Sequence, residues 1–254
     1  MRLAELADRL DERLRTDAYA DLDASANGLQ VGPDDGRVEH VALAVDGVAE
    51  TFEQAADAGA DALVVHHGIS WGGFDRVTGT TYDRVETLVE NDLALYVSHL
   101  PLDGHQELGN AAGVADVLGL SDRQPFGELG PEHIGQRGRS PLTDVETIRE
   151  RLAADLDTGG QPVRVLEFGP EAVEEVAIVT GSGTDWLAEA DDVGADVLVT
   201  GEGKQQAYHE ARERGVHVVL AGHYATETFG VRALADELAA MGLETTFLDC
   251  PTGL

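Results

Sequence analysis

Leu3, Leu6, Leu10 and Leu14 recur at helical spacing, so the chain opens on an amphipathic helix over 3–16. From there short aliphatic runs alternate with amphipathic stretches. Strands are predicted at 41–45 (VALAV), 62–65 (ALVV), 94–98 (ALYVS), 163–168 (VRVLEF), 176–180 (VAIVT), 197–200 (VLVT), 217–221 (HVVLA) and 244–248. Helices are predicted at 48–58, 83–91, 106–118, 142–156, 184–193, 203–214 and 226–241. Aliphatic strands alternating with helices predict an α/β fold, with parallel or mixed sheets covered by helices on both faces. Residues 121–141 are rich in Gly and Pro and read as a connector.

The pattern repeats. AADAGADALVVHHG (55–68) aligns without a gap on ADDVGADVLVTGEG (190–203), and eight of the fourteen positions are identical. Beyond the next strand in each case lies a His-x3-carboxylate: His99 with Asp103, and His223 with Glu227. Two related halves follow, 1–120 and 142–254, each carrying polar groups to the carboxyl ends of its strands, where open α/β sheets bind ligands.

Taken singly, each of these residues has a plain structural role. His66-His67 can be a polar pair leaving a strand and His99 a strand cap. Asp103 and Glu227 can be first-turn acids, worth about 0.3–1 kcal/mol against a helix dipole. Taken together they change the reading. Four His and two carboxylates at three strand ends exceed what one tetrahedral ion needs, and a carboxylate can bridge two ions about 3.5–4 Å apart. Nitrogen and oxygen donors without cysteine suit Zn, Fe, Mn, Co or Ni.

Charge adds habitat rather than chemistry. The 254 residues hold 48 acidic and 17 basic side chains, a net charge of −31, and Lys204 is the only lysine. The acids are dispersed rather than gathered in a tail. Such self-repulsion is tolerable where salt shortens the Debye length to about 3 Å at 1 M, which points to a halophile, and an archaeal one. The same field disfavours nucleic acid as a partner. The single cysteine, Cys250, excludes an intrachain disulfide. The charged amphipathic start has no signal-peptide core, and no apolar run approaches the roughly 20 residues of a membrane helix, so a cytoplasmic location is expected.

Ser25-Ala26-Asn27-Gly28-Leu29-Gln30-Val31-Gly32, Asp61 to His66-His67, His99-Leu-Pro-Leu-Asp103, Thr200-Gly201-Glu202 and Ala221-Gly222-His223-Tyr224-Ala225-Thr226-Glu227 occur in this order over nearly the whole chain. In this combination the sequence resembles the Nif-three-like family (NGG-one-interacting factor three), whose members are labelled homologues of GTP cyclohydrolase I type 2. The resemblance implies two similar, intertwined α/β/α halves with mixed sheets. It implies two divalent metal ions per subunit on His66, His67, Asp103, His223 and Glu227, with Glu227 as the bridge. It also implies a homo-oligomer, a hexameric ring built as a trimer of dimers. The function expected is metal-dependent hydrolysis of a small nucleotide-like substrate, with His99, Glu202 and His209 as candidate proton shuttles. The alternative is a non-catalytic metal store, metallochaperone or scaffold. Two departures stand out: Gln205-Gln206 occupies a position where many members carry a histidine pair, and His66-His67 is followed by Gly68-Ile69 rather than Pro-Leu.

Overall fold

The computed structural model describes residues 1–33 and 36–254. Its strands are β1 (Gly28–Val31), β2 (His40–Asp46), β3 (Ala62–His67), β4 (Ala94–Val97), β5 (Ser121–Leu129), β6 (Glu132–Arg139), β7 (Arg164–Leu166), β8 (Glu175–Ile178), β9 (Val197–Thr200), β10 (His217–Leu220) and β11 (Glu244–Phe247). The chain divides into two units, Met1–Leu102 with Gly230–Cys250 and Asp103–Phe229 with Pro251–Leu254. These boundaries differ from a cut at 120 and 142. Residues 244–247 belong with the first unit because β11 pairs with β2, and helix Asn110–Leu118 belongs with the second because its apolar face joins that core.

The first unit holds a five-stranded sheet in the order β1-β4-β3-β2-β11. β2, β3, β4 and β11 run parallel, and β1 is antiparallel on the β4 edge. Alternate residues of the aliphatic runs, Ala42, Ala44, Leu63, Val65, Leu95 and Val97, pack with Phe52 of helix Ala49–Asp57 and Leu88 of helix Thr80–Glu90. Tyr96 projects from the other face, and its hydroxyl donates to Asp11 Oδ1 at 2.8 Å on the predicted first helix, Leu3–Leu14. All four periodic leucines of that helix are buried, each contributing about 2 kcal/mol of burial. Arg13 fastens the same helix to Glu237 of helix Thr228–Ala240 at 3.0 Å.

The second unit holds a six-stranded sheet in the order β5-β6-β8-β9-β10-β7. β8, β9 and β10 are parallel, while β7 lies antiparallel on the β10 edge. Val176, Ile178, Val197, Val199 and Val219 pack with Val114 and Leu118 of helix Asn110–Leu118 and with Ile148 and Leu152 of helix Val145–Asp155. Residues 121–141 are not a connector: they form the β5–β6 hairpin, and β6 pairs with β8. Gly127, Gly135 and Gly138, which read as loop, are strand residues, and Gly130 lies in the turn between the two strands. A Cβ on Gly135 would lie 2.1 Å from the Ile178 carbonyl oxygen.

The internal echo has a structural counterpart. In both sheets a three-strand parallel core, β2-β3-β4 or β8-β9-β10, ends on an antiparallel edge strand. Asp61 Oδ2 accepts the Glu39 and His40 amides at 2.8 and 3.0 Å, and Asp196 Oδ2 accepts those of Glu174 and Glu175 at 2.8 and 3.0 Å. Each aspartate thus joins the start of the middle strand to the start of its neighbour. Each His-x3-carboxylate motif forms a short helical turn of its own ahead of the longer helix. One-turn helices Leu100–Asp103 and His223–Thr226 precede the longer Asn110–Leu118 and Thr228–Ala240. Among the described residues no helix is long and apolar enough to cross a membrane.

Candidate metal centre

In the first unit the histidines gather where the parallel strands end. His66 and His67 close β3, and although a strand turns successive side chains to opposite faces, their ring centroids lie only 4.7 Å apart. His99, two residues past β4, joins them with centroids 5.0 Å from His66 and 5.6 Å from His67. The three offer ligating nitrogens within 4.8 Å of one another.

Each ring is held by the same atom. His66 Nδ1 donates to the Ser98 carbonyl at 2.9 Å, His67 Nδ1 to Asp46 Oδ1 at 2.8 Å and His99 Nδ1 to Asp23 Oδ1 at 3.0 Å. Asp46 is the register partner of His67 across β2 and β3, so the sheet itself aligns that pair. Asp23 also accepts the amides of Ser25 and Leu100 and the Asn27 side chain, at 2.9, 3.0 and 2.8 Å. Burial alone would raise the Asp23 carboxyl, but the hydrogen bond and charge of His99, with Asn27 and the Ser25 amide, bring it down to about 2. Asn27 Oδ1 accepts the His99 amide at 2.7 Å. The Ser25-Ala26-Asn27 segment is therefore the seat of His99. A ring that donates from Nδ1 carries its lone pair on Nε2, the arrangement of metal-binding histidine.

The second unit contributes Asp103, His223 and Glu227. Asp103 and Glu227 are both buried, at 7% and 3% exposure, and offer carboxylate oxygens within 4.8 Å of each other. Two carboxylates so close and so buried call for positive charge. Asp103 Oδ1 accepts from Asn110 Nδ2 at 2.8 Å and from Thr180 Oγ1 at 3.4 Å. His223 Nε2 stands 3.2 Å from Glu227 Oε2, and its Nδ1 donates to Glu202 Oε1 at 3.0 Å. Burial works against charging His223, but the hydrogen bonds and charges of Glu227 and Glu202 outweigh it and raise the ring to about 9. Glu202 moves the opposite way, held below the usual carboxylate range by the Ser182 hydroxyl and by His223. Gly181 makes room for the cluster: its φ is +60°, and a Cβ there would sit 2.2 Å from Glu227 Oε1 and 3.1 Å from His223 Nε2.

His209 stands apart. It is exposed on helix Gln205–Arg214, its ring packs against Tyr208 with centroids 5.4 Å apart, and it lines a shallow cavity with Arg164, Leu166 and Leu220. Gln205 and Gln206 are exposed on the same helix. The supports Asp23, Asp46, Ser98, Asn110 and Gly181 were not singled out in the sequence. Only Asp23 left a signal, as the acid just ahead of the Ser25-Ala26-Asn27 motif.

The family model described as Duf34/NIF3 (NGG1p interacting factor 3) matches residues 1–252. A relative from Halobacterium salinarum named GTP cyclohydrolase 1 type 2 homolog is 57% identical, with all of both chains covered. One of the same name from Archaeoglobus fulgidus is 41% identical over all of both chains. Among solved structures, a Thermus thermophilus protein shares 42% identity at a TM-score of 0.90 with both chains fully covered. The ybgI protein shares 34% at a TM-score of 0.91, again with full coverage.

Proposed function

This chain belongs to the Duf34/NIF3 family, and from that premise we propose that it is a dinuclear metal protein that hydrolyses a small nucleotide-like substrate. The observation that carries the reading is the anchoring of four imidazoles, His66, His67, His99 and His223, each through Nδ1. The ligands we propose are His66, His67, Asp103, His223 and Glu227, with His99 as a further nitrogen donor beside His66 and His67.

The donor chemistry fits a divalent ion of intermediate softness, since it mixes imidazole and carboxylate and contains no thiolate. When bound, such a pair lowers the pKa of water and polarises the bond under attack. The chain's own residues do the rest. Asp46, Asp23 and the Ser98 carbonyl fix the orientation of three rings. Glu202 keeps a proton on His223 Nδ1. Gly181 leaves the Glu227 carboxylate its space. His209 takes no part in this reading. The substrate class rests on the name the relatives carry, and a hexameric ring is the assembly we propose with it.

A non-catalytic metal carrier is the second reading. Gln205 and Gln206 favour it, because two exposed amides stand where a histidine pair would offer titratable groups. The test is turnover by metal-loaded protein in concentrated KCl against nucleotides and phosphoesters. Turnover in the wild type that disappears in Glu227→Ala supports the hydrolase. Equal rates in both remove it, and retained metal without any turnover leaves the carrier.

A further inference from the structure

The histidine cluster of the first unit carries a half-exposed aromatic residue, Trp71. Trp71 is 48% exposed, yet its ring is not loose. It meets His99 nearly at right angles, 81° with centroids 5.0 Å apart, and lies 6.1 Å from His67. Its backbone is tied down on both sides. Trp71 and Ser25 form an isolated antiparallel bridge, the Ala26 amide donates to the Ser70 carbonyl at 3.2 Å, and the Gly72 amide donates to the Ala24 carbonyl at 2.6 Å. Gly72 and Gly73, with φ of +75° and +93°, then turn the chain away.

The segment that seats His99 therefore seats Trp71 as well. Opposed residues of an antiparallel bridge project to the same face, so the Ser25 hydroxyl shares the face of the indole. Ser25 is 6% exposed, and its buried hydroxyl has no hydrogen-bond partner among the described residues. An indole fixed in place beside ligating histidines, with half its surface open, forgoes burial that folding alone would favour. It supplies a flat apolar surface beside the histidine cluster.

Resting on the metal-centre reading above, we propose that Trp71 is a substrate-contacting residue that stacks a planar heteroaromatic ring, such as a purine, against its indole, with the Ser25 hydroxyl beside it as a donor or acceptor for a ring heteroatom. The substrate class is then one that carries such a ring, rather than a bare sugar phosphate or phosphoester.

The test is calorimetric titration of metal-loaded protein in concentrated KCl with GMP and, separately, with ribose 5-phosphate, which keeps the phosphate and sugar but lacks the ring. Metal content and oligomeric state are measured on the same samples. GMP is expected to bind and to quench indole emission, with ribose 5-phosphate at least tenfold weaker. Trp71→Ala is expected to weaken GMP about tenfold while leaving ribose 5-phosphate and metal content unchanged, and Trp71→Phe to stay within about threefold of the wild type. The proposal falls if metal-loaded protein ignores GMP, if ribose 5-phosphate binds as well, or if Trp71→Ala binds GMP like the wild type. It falls also if Trp71→Ala splits an assembly, which would make the indole a contact between copies of the chain. A wild type that takes up no metal strikes the metal-centre reading instead.

Discussion

Glu202 Oε1 accepts from His223 Nδ1 at 3.0 Å, which puts an acid of the Thr200-Gly201-Glu202 turn behind a histidine 21 residues further along the chain. The same relationship links Asp46 to His67 and Asp23 to His99. Acids behind rings are what a metal-binding histidine needs, because they set its tautomer and its basicity.

Replacing Glu202 with Gln keeps the size and removes the charge. Metal affinity is expected to fall about 10–100-fold, the usual effect of losing such a support. Chelator competition on the wild type and on Glu202→Gln measures it, with His223→Ala as the reference for full loss of one ligand.

Gly181→Ala tests the space beside Glu227. The substitution asks an L residue to hold φ of +60° and drives a methyl to 2.2 Å from Glu227 Oε1. The backbone cost alone is about 1 kcal/mol. The expected outcome is a folded chain, slightly lower in denaturant midpoint, with reduced metal stoichiometry by elemental analysis.

Much of the core of this site is legible in the chain. The run Ala62–Val65 ends on His66-His67, and a strand at its parallel end delivers side chains to one rim, so both residue type and place follow from periodicity. His99 and His223 follow from the same rule applied to β4 and β10. The supports are harder to read, because Asp23 reaches His99 across 76 residues and Asp46 reaches His67 only through strand register. The β5–β6 hairpin was hidden for another reason. Gly127, Gly135 and Gly138 weaken every strand signal, yet at Gly135 and Gly138 neighbouring backbone leaves no room for a Cβ, and Gly127 holds a φ of +78°. Unit boundaries were hidden too, since a final strand beside β2 is a long-range pairing with no local pattern.

The repeated task of Asp61 and Asp196 gives a prediction about stability. Each accepts two backbone amides at a strand start. Asp61→Ala and Asp196→Ala should each cost about 1–3 kcal/mol, as expected for charge-assisted bonds to amides left without an acceptor. Urea denaturation at fixed salt checks whether the two losses agree within about 1 kcal/mol.

Chelator-treated protein should lose stability at both ends of the pH scale. Asp23 is depressed to about 2 in the fold, so its contribution is present above its ordinary value and is lost as pH falls through about 2. That contribution is about 2 kcal/mol. His223 is raised to about 9, so its contribution is complete below about 6.5 and disappears as pH rises through about 9. Denaturation between pH 2 and 10 reads both limbs. Asp23→Asn should flatten the acid limb, and Glu202→Gln should lower the pH at which the alkaline one ends.

The central claim is that this chain holds divalent metal through His66, His67, Asp103, His223 and Glu227. Elemental analysis after dialysis against each candidate ion, on the wild type, His66→Ala and Glu227→Ala, tests it most directly. The expected result is two ions per chain in the wild type, with loss of at least one in each variant at unchanged circular dichroism. A folded wild type that retains no ion, or variants that retain both, would contradict it.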